Sequence, residues 1–495
     1  MCKNTLFFHS LKTQLALCII IYFTREVSLE IAKTPGRVIS VFVLVMLNVS
    51  IMASLRNLPL VAEYGYSAIC YFLIVGIFFL VPAALVSAEL ATGWPKSGGI
   101  YIWVREAFGD FWGFFAIWMQ WVHNVTWYPA ILAFVATTLA YVFYPPFATN
   151  NYFVLAVVLG GFWGMTFLNF FGIKTSSLFS TAGVIGGTIL PGLFLIGLAF
   201  IWIISGHPTQ IHFTLASLVP DFSHFDNIVF LGGLFLAFAG LEVSSGYAGE
   251  VRNPQRNYPI SIIMAGLITF FLFMLGALSI GLVIPKDQIS LVSSLMEALN
   301  IFLYNYDIGW VLPILGVLLV IGAIAEVNSW IIGPVKGLYT TSIHGNLPPI
   351  FQYTNSKGVP VNLLLFQAII VTISSLVFLT MPSLSSSYWI LSALSTQIYL
   401  VMYILMFLSA IRLRYTRPNV PRAYRIPHPH KGIWIVSCLG VLSSTFAIIL
   451  VFVPPRQIHI GSLAFFESFL AIGLLTMCII PAIIYSFKKP SWVSQ

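Results

Sequence analysis

Apolar runs long enough to cross a lipid bilayer recur from near Val38 to Phe487, and only short polar gaps separate them. A helix needs roughly 20 apolar residues to span the hydrocarbon core. Charged residues make up 8% of this 495-residue chain, whereas soluble proteins average about 25%. The chain is therefore a multi-span membrane protein, and the gaps leave no room for a sizeable soluble domain. A backbone in lipid must satisfy its own hydrogen bonds, and the runs are too long for barrel strands, so the expected class is all-α.

About twelve spans are expected, near 38–60, 67–91, 110–142, 152–171, 178–204, 227–248, 259–284, 309–342, 360–380, 387–411, 432–453 and 462–487. The basic residues alternate with them. Lys33 and Arg37 precede the first span, and Lys96, Arg105, Lys174, Arg252, Arg256, Lys336 and Lys357 fall in every second gap. The gap between spans ten and eleven holds Arg412, Arg414, Arg417, Arg422, Arg425 and Lys431, and Lys488 and Lys489 follow the last span. The opposite gaps hold only Lys286 and Arg456. Cytoplasmic loops collect Lys and Arg, so both termini are expected in the cytoplasm of a multi-pass cell-membrane protein. The same rule accounts for the net charge of +8 without nucleic acid. None of the five cysteines forms a CxxC pair, so neither a disulfide framework nor a metal site is expected. Residues 1–37 carry an apolar patch, Leu15–Phe23, too short to cross a membrane, and read as a cytoplasmic leader.

Chemistry is expected where ionisable groups interrupt the apolar runs, because such groups are costly in lipid and usually face a cavity or a partner. The candidates are Arg56, Glu89, His123, Glu242, Glu326 and Glu467. Glu89 and Glu467 lie near span ends, where reaching the interface suffices. His123 could titrate near neutral pH and carry a proton; the plainer reading is a buried histidine bonded to a backbone carbonyl.

Glu242 has the richest setting. The run to Phe238 reads as helix, then Gly240, Glu242, Ser244, Ser245 and Gly246 follow within one short stretch. Glycine and serine weaken a helix interior, and a broken helix is tolerated in a membrane only beside a protein cavity. Its free backbone groups suit a substrate carboxylate. Small residues alone would read as close helix packing; the glutamate among them favours a site. The first span has a matching weak point at Asn48, Ser50, Ala53 and Ser54, with Arg56 and Pro59 beyond it. Pro59 disfavours helix at Leu58. Interruptions five spans apart suggest an inverted repeat of five helices with two more appended, and a midplane site between the two breaks.

These residues resemble the amino acid–polyamine–organocation (APC) superfamily, and most closely its bacterial glutamate/GABA antiporter branch. The resemblance covers about 38–487 and rests on Pro82–Gly109, Gly240–Pro259, Ile321–Pro348 and Ile398–Tyr403. It implies a LeuT-type fold with helices 1 and 6 broken: a first repeat over 38–204, a second over 227–411, two further helices over 432–487, and a tail at 488–495. It also implies a secondary transporter of amino acids or related amines in a bacterial inner membrane, working by alternating access, with exchange favoured. The alternatives are a proton-coupled permease and a transporter-like nutrient sensor. No cofactor, metal or catalytic group is called for, and no enzyme signature such as HExxH is present. The partners would be the substrate, lipid and, for a coupled carrier, protons.

The resemblance places the family's sixth-span acid on Glu242, its eighth-span acid and tryptophan on Glu326 and Trp330, and its tenth-span tyrosines on Tyr399 and Tyr403. Spacings of four put each of the last two pairs on one helix face. The substrate carboxylate would dock on amides near Ser50 and Ser54, and its ammonium near carbonyls around Phe238–Gly240, with Ser244 and Ser245 beside them. Glu242 would be the charge partner, and the proton acceptor if transport is proton-coupled. Two features depart from the branch. SLRNLP replaces an aromatic stretch after the first break, placing Arg56 there to neutralise Glu242, to bind a side-chain carboxylate, or merely to face the external vestibule. A C-terminal histidine-containing plug, with the acid gating it confers, is also not expected.

Overall fold

A computed structural model of the protein describes residues 39–96, 98–220, 228–245, 251–428, 430–455 and 458–493. The leader at 1–37, Gly246 and Arg456 lie outside them. Among the described residues, eleven helices are long and apolar enough to cross a membrane: Val41–Ala62, Gly65–Gly93, Asp110–Phe143, Asn151–Asn169, Leu178–Ile204, Pro254–Val283, Gly309–Ile343, Val361–Leu379, Leu384–Thr416, Lys431–Leu450 and Leu463–Ser486. Their ends lie within five residues of those expected from hydropathy.

The remaining crossing, sixth in order, is no continuous rod. Among the described residues, its α-helix covers only Leu231–Ala237. The chain then turns at Phe238 and passes through Gly240 at φ +117, a left-handed conformation open to glycine and strained for other residues.

The first span is also interrupted, but later than the sequence suggested. Helix Val41–Met52 includes Ser50 and stops at Ala53. Ser54 is extended, Leu55–Asn57 forms a single tight turn, and Leu58–Ala62 is helical again. Arg56 therefore sits in that turn rather than in an unwound stretch. The expectation that Pro59 disfavours helix at Leu58 is corrected too. Pro59 lies in the first turn of the second half-helix, where a missing N–H costs nothing and the fixed φ suits a helix start.

The third and tenth spans form the centre, packing on one another, and the third also packs on the eighth. The first packs against the fifth, seventh and eighth. The twelfth is peripheral and mostly apolar at its surface, as a lipid-facing helix should be. Small residues set the closest approach: a Cβ on Gly187 of the fifth span would lie 2.3 Å from the Leu318 carbonyl oxygen of the eighth.

At one end of the bundle, Glu89 corrects another expectation. It does not reach for the interface but is buried, as are Arg414 and Arg422. Arg414 donates to both Glu89 oxygens, through Nε at 3.0 Å and through Nη2. The Ile426 N–H donates to Oε2 at 2.9 Å, and Arg422 Nε lies 3.5 Å from Oε1. Arg422 also lies over the Trp94 ring at 5.1 Å. One carboxylate thus ties the second span, the tenth span and the basic loop after it. Removing one partner of a buried ion pair leaves the other charge uncompensated. Glu89→Gln should therefore destabilise the protein by about 3–5 kcal/mol, read as a large fall in the melting temperature in detergent. An unchanged melting temperature would mean that water reaches the cluster.

Candidate functional site

The two interruptions meet. A Cβ on Gly240 would come within 2.7 Å of Ile51 Cγ2 and 3.1 Å of Trp330 Cζ2. Only glycine lets the sixth crossing turn here with the first span so close, so this one residue serves both the local conformation and the packing.

A broken helix leaves backbone groups that dry protein must satisfy. Aromatic side chains from the scaffold meet two of them. Trp330 Nε1–H donates to the Ile51 carbonyl at 2.9 Å, and the Gly240 N–H donates to the Tyr403 hydroxyl at 2.7 Å. The Tyr403 hydroxyl donates to Glu242 Oε2. Tyr399 donates to Glu242 Oε1, and the Gln120 amide donates to the same oxygen at 2.9 Å. Three donors from the third and tenth spans therefore hold the Glu242 carboxylate against the turn of the sixth. For Glu242 to take a proton, one of these hydroxyls would have to turn and accept.

His123 lies parallel to Tyr399, with ring centroids 3.9 Å apart, and edge-on to Trp330 at 5.2 Å. Its Nδ1 is 2.7 Å from the Gln120 carbonyl. Gln120 stands between His123 and Glu242, so the histidine acts on the acid through a neighbour and through ring stacking.

Arg56, Glu326 and Ser54 form a second cluster past the first-span break. Arg56 Nη1 donates to the Tyr388 hydroxyl at 2.8 Å. Its guanidinium lies over Trp127 at 5.3 Å and over Tyr388 at 5.4 Å. Ser54 lies beside the buried Glu326, and Arg56 lies within electrostatic range of that carboxylate. Arg56 is 2% exposed, so it does not face an open vestibule.

Other candidates take less direct places. Ser50 remains helical, and its hydroxyl pairs with Ser329 at 3.0 Å. Ser329 gives its proton to the Ala325 carbonyl, so Ser50 is the donor. The Phe238 ring packs among Phe72, Phe270 and Phe273, away from Glu242, leaving only its backbone for a ligand. Ser244 and Ser245 bond to carbonyls of their own segment, those of Leu241 and Glu242. Glu467 is exposed on the twelfth span. Sequence reasoning missed Gln120, Trp127, Tyr388 and Ser329. The polar run Gln120–His123–Asn124 in an apolar span was a readable signal for the first. Nothing local marks Tyr388.

Tyr403 serves two groups and Tyr399 one, which separates their substitutions. Tyr403→Phe should cost about 1–3 kcal/mol through the unsatisfied Gly240 N–H. Tyr399→Phe should cost less. Thermal unfolding of the two variants side by side checks the order.

Residues 38–476 match the amino acid permease family. An uncharacterized transporter of Legionella pneumophila is 42% identical over 445 residues, covering 90% of this chain and 96% of that protein. A glutamate/gamma-aminobutyrate antiporter of Lactococcus lactis is 32% identical over 454 residues, covering 90% of each chain. A probable agmatine/putrescine antiporter of the same species is 25% identical, covering 88% of this chain and 92% of that protein. The chain belongs to the amino acid permease family of the APC superfamily, a group of transmembrane transporters with the LeuT-type fold.

Proposed function

We propose that the protein is an amino acid antiporter of a bacterial inner membrane, with both termini cytoplasmic, and that its substrate binds where the first and sixth spans are interrupted. The observation that carries this reading is the junction of Gly240, Ile51, Trp330 and Tyr403. It joins two backbone breaks, a carboxylate and aromatic faces in a buried core. The relatives named as antiporters support exchange.

The substrate's α-carboxylate docks on amides of the break at Ala53–Ser54. Its ammonium lies near the carbonyls of Phe238–Gly240, where Glu242 supplies negative charge. Trp330, Tyr399 and Tyr403 bound the pocket, and an ammonium beside their faces gains cation–π attraction. Alternating access then rocks the bundle holding spans one and six against a scaffold holding spans three, eight and ten. The two repeats run over 38–204 and 227–411, with the last two helices appended. An accessible cavity of about 260 Å³, lined by Glu63, Phe230, Asp287, Ser383 and His459, opens in the gaps assigned to the outside. The Glu89 cluster sits at the opposite end. That combination fits a carrier closed toward the cytoplasm.

Purified protein in liposomes tests this. Preloading with unlabelled substrate should raise uptake of labelled amino acid at least about tenfold, and Glu242→Gln should abolish most of that exchange while the protein still folds. Uptake into empty vesicles driven by an inward proton gradient would make the protein a proton-coupled permease instead. Saturable binding with no flux would make it a sensor. Full exchange by Glu242→Gln would remove Glu242 from the mechanism.

A further inference from the structure

Arg56 carries a hydrogen-bonding capacity that the fold does not use. A guanidinium has five N–H donors around its edge and stays charged in any protein environment. Among the described residues, Arg56 donates only to Tyr388, and its buried Nε has no acceptor. No carboxylate lies within ion-pair distance of it among them; Glu326 acts on it only at longer range. Trp127 and Tyr388 cover the guanidinium plane, which offsets part of its desolvation. Stacking uses the face and leaves the edge available.

A second buried polar group lies beside it. Ser392 stands one turn beyond Tyr388 on the tenth span, within reach of the Tyr388 hydroxyl. Its hydroxyl is buried, and apart from Tyr388 it has no hydrogen-bond partner among the described residues. The contrast with the Glu89 cluster is informative. There, two buried guanidiniums share a carboxylate, as buried charge requires. Here a buried cation has no carboxylate within ion-pair distance among the described residues, and Glu326 acts on it only at longer range.

The position fits a substrate. Arg56 follows Ser54 by two residues, just past the break proposed to hold the α-carboxylate, and Trp127 links it to Trp330 at 5.6 Å between rings. A side chain extending from a substrate held at the break meets this edge.

We infer that Arg56, with Tyr388 and Ser392, forms a subsite for the ionised second carboxylate of a dicarboxylic amino acid. The inference rests on the substrate site proposed above. The guanidinium edge pairs with a carboxylate in a fork geometry, and a side chain ending in an ammonium or guanidinium meets like charge. A neutral amide of the same shape as the carboxylate forfeits the charge-assisted bonds.

Glutamate and glutamine, equal in shape and different in charge, form the test. Binding to the purified full-length protein is measured by calorimetry, with arginine as the cationic control. Wild type should bind glutamate about 10- to 100-fold more tightly than glutamine, the range expected for charge-assisted bonds, and arginine weakest. Arg56→Gln should weaken glutamate by a similar factor and leave glutamine within about twofold. If that variant does not fold, Ser392→Ala and Tyr388→Phe carry the same expectation at about three- to tenfold each. Glutamine bound as tightly as glutamate, or both weakened equally by these substitutions, overturns the subsite and leaves the amino acid site standing. No binding of any amino acid to folded wild-type protein overturns both.

Discussion

An interrupted helix inside a membrane protein survives only if other groups take up the backbone it frees, and the centre of this fold is organised around that requirement. The first and sixth crossings stop being helical where they face each other. Trp330 caps the Ile51 carbonyl, and Tyr403 accepts from the Gly240 N–H. Both caps come from the eighth and tenth spans, which do not break. The interruptions are therefore held by a rigid partner rather than by each other. A bundle that moves relative to that partner changes which backbone groups are capped and which are available.

Glu242 belongs to the same arrangement. Its carboxylate accepts from Gln120, Tyr399 and Tyr403, groups supplied by the third and tenth spans. A residue of the sixth crossing is thus held by residues of the third and tenth spans. His123 adds a flat aromatic wall behind Tyr399 and restricts the tyrosine's freedom to turn. The network links the Glu242 carboxylate to the turn of the sixth crossing through a handful of hydrogen bonds, so a change in one partner is felt by the others.

Much of this was legible in the order of residues, for a physical reason. Lipid imposes a harsh constraint, so length, hydropathy and the distribution of Lys and Arg place the spans to within a few residues. The glycine and serine cluster at Gly240–Ser245 likewise marks the sixth-span break. The misplaced details depend on contacts far away in sequence. Ser50 lies within the helix, and its hydroxyl pairs with that of Ser329, 279 residues later. Glu89 is held by Arg414, 325 residues later, which no local pattern announces. Gln120 becomes meaningful only once Glu242 is seen beside it. Pro59 was read as a breaker when its place in the first turn of a half-helix makes it a starter.

The two buried arginine clusters place the same side chain in different surroundings. Glu89 gives Arg414 two acceptor oxygens and draws Arg422 to its other flank, while Leu413 and Arg417 carbonyls take further donors of Arg422. That end of the bundle is complete without a ligand, and its charges fix a loop in place. Arg56 lies equally deep, yet its protein contacts are mainly aromatic faces and one phenol. Aromatic faces lower the cost of burying a cation without competing for its N–H groups. A structural ion pair disfavours an incoming anion because its guanidiniums already face a carboxylate. A guanidinium held between rings is oriented and dry but still able to bond, which is the condition a binding residue has to meet. The difference between the two clusters lies in whether a carboxylate stands within ion-pair distance of the guanidinium, and it is read from the contacts rather than from the residue type.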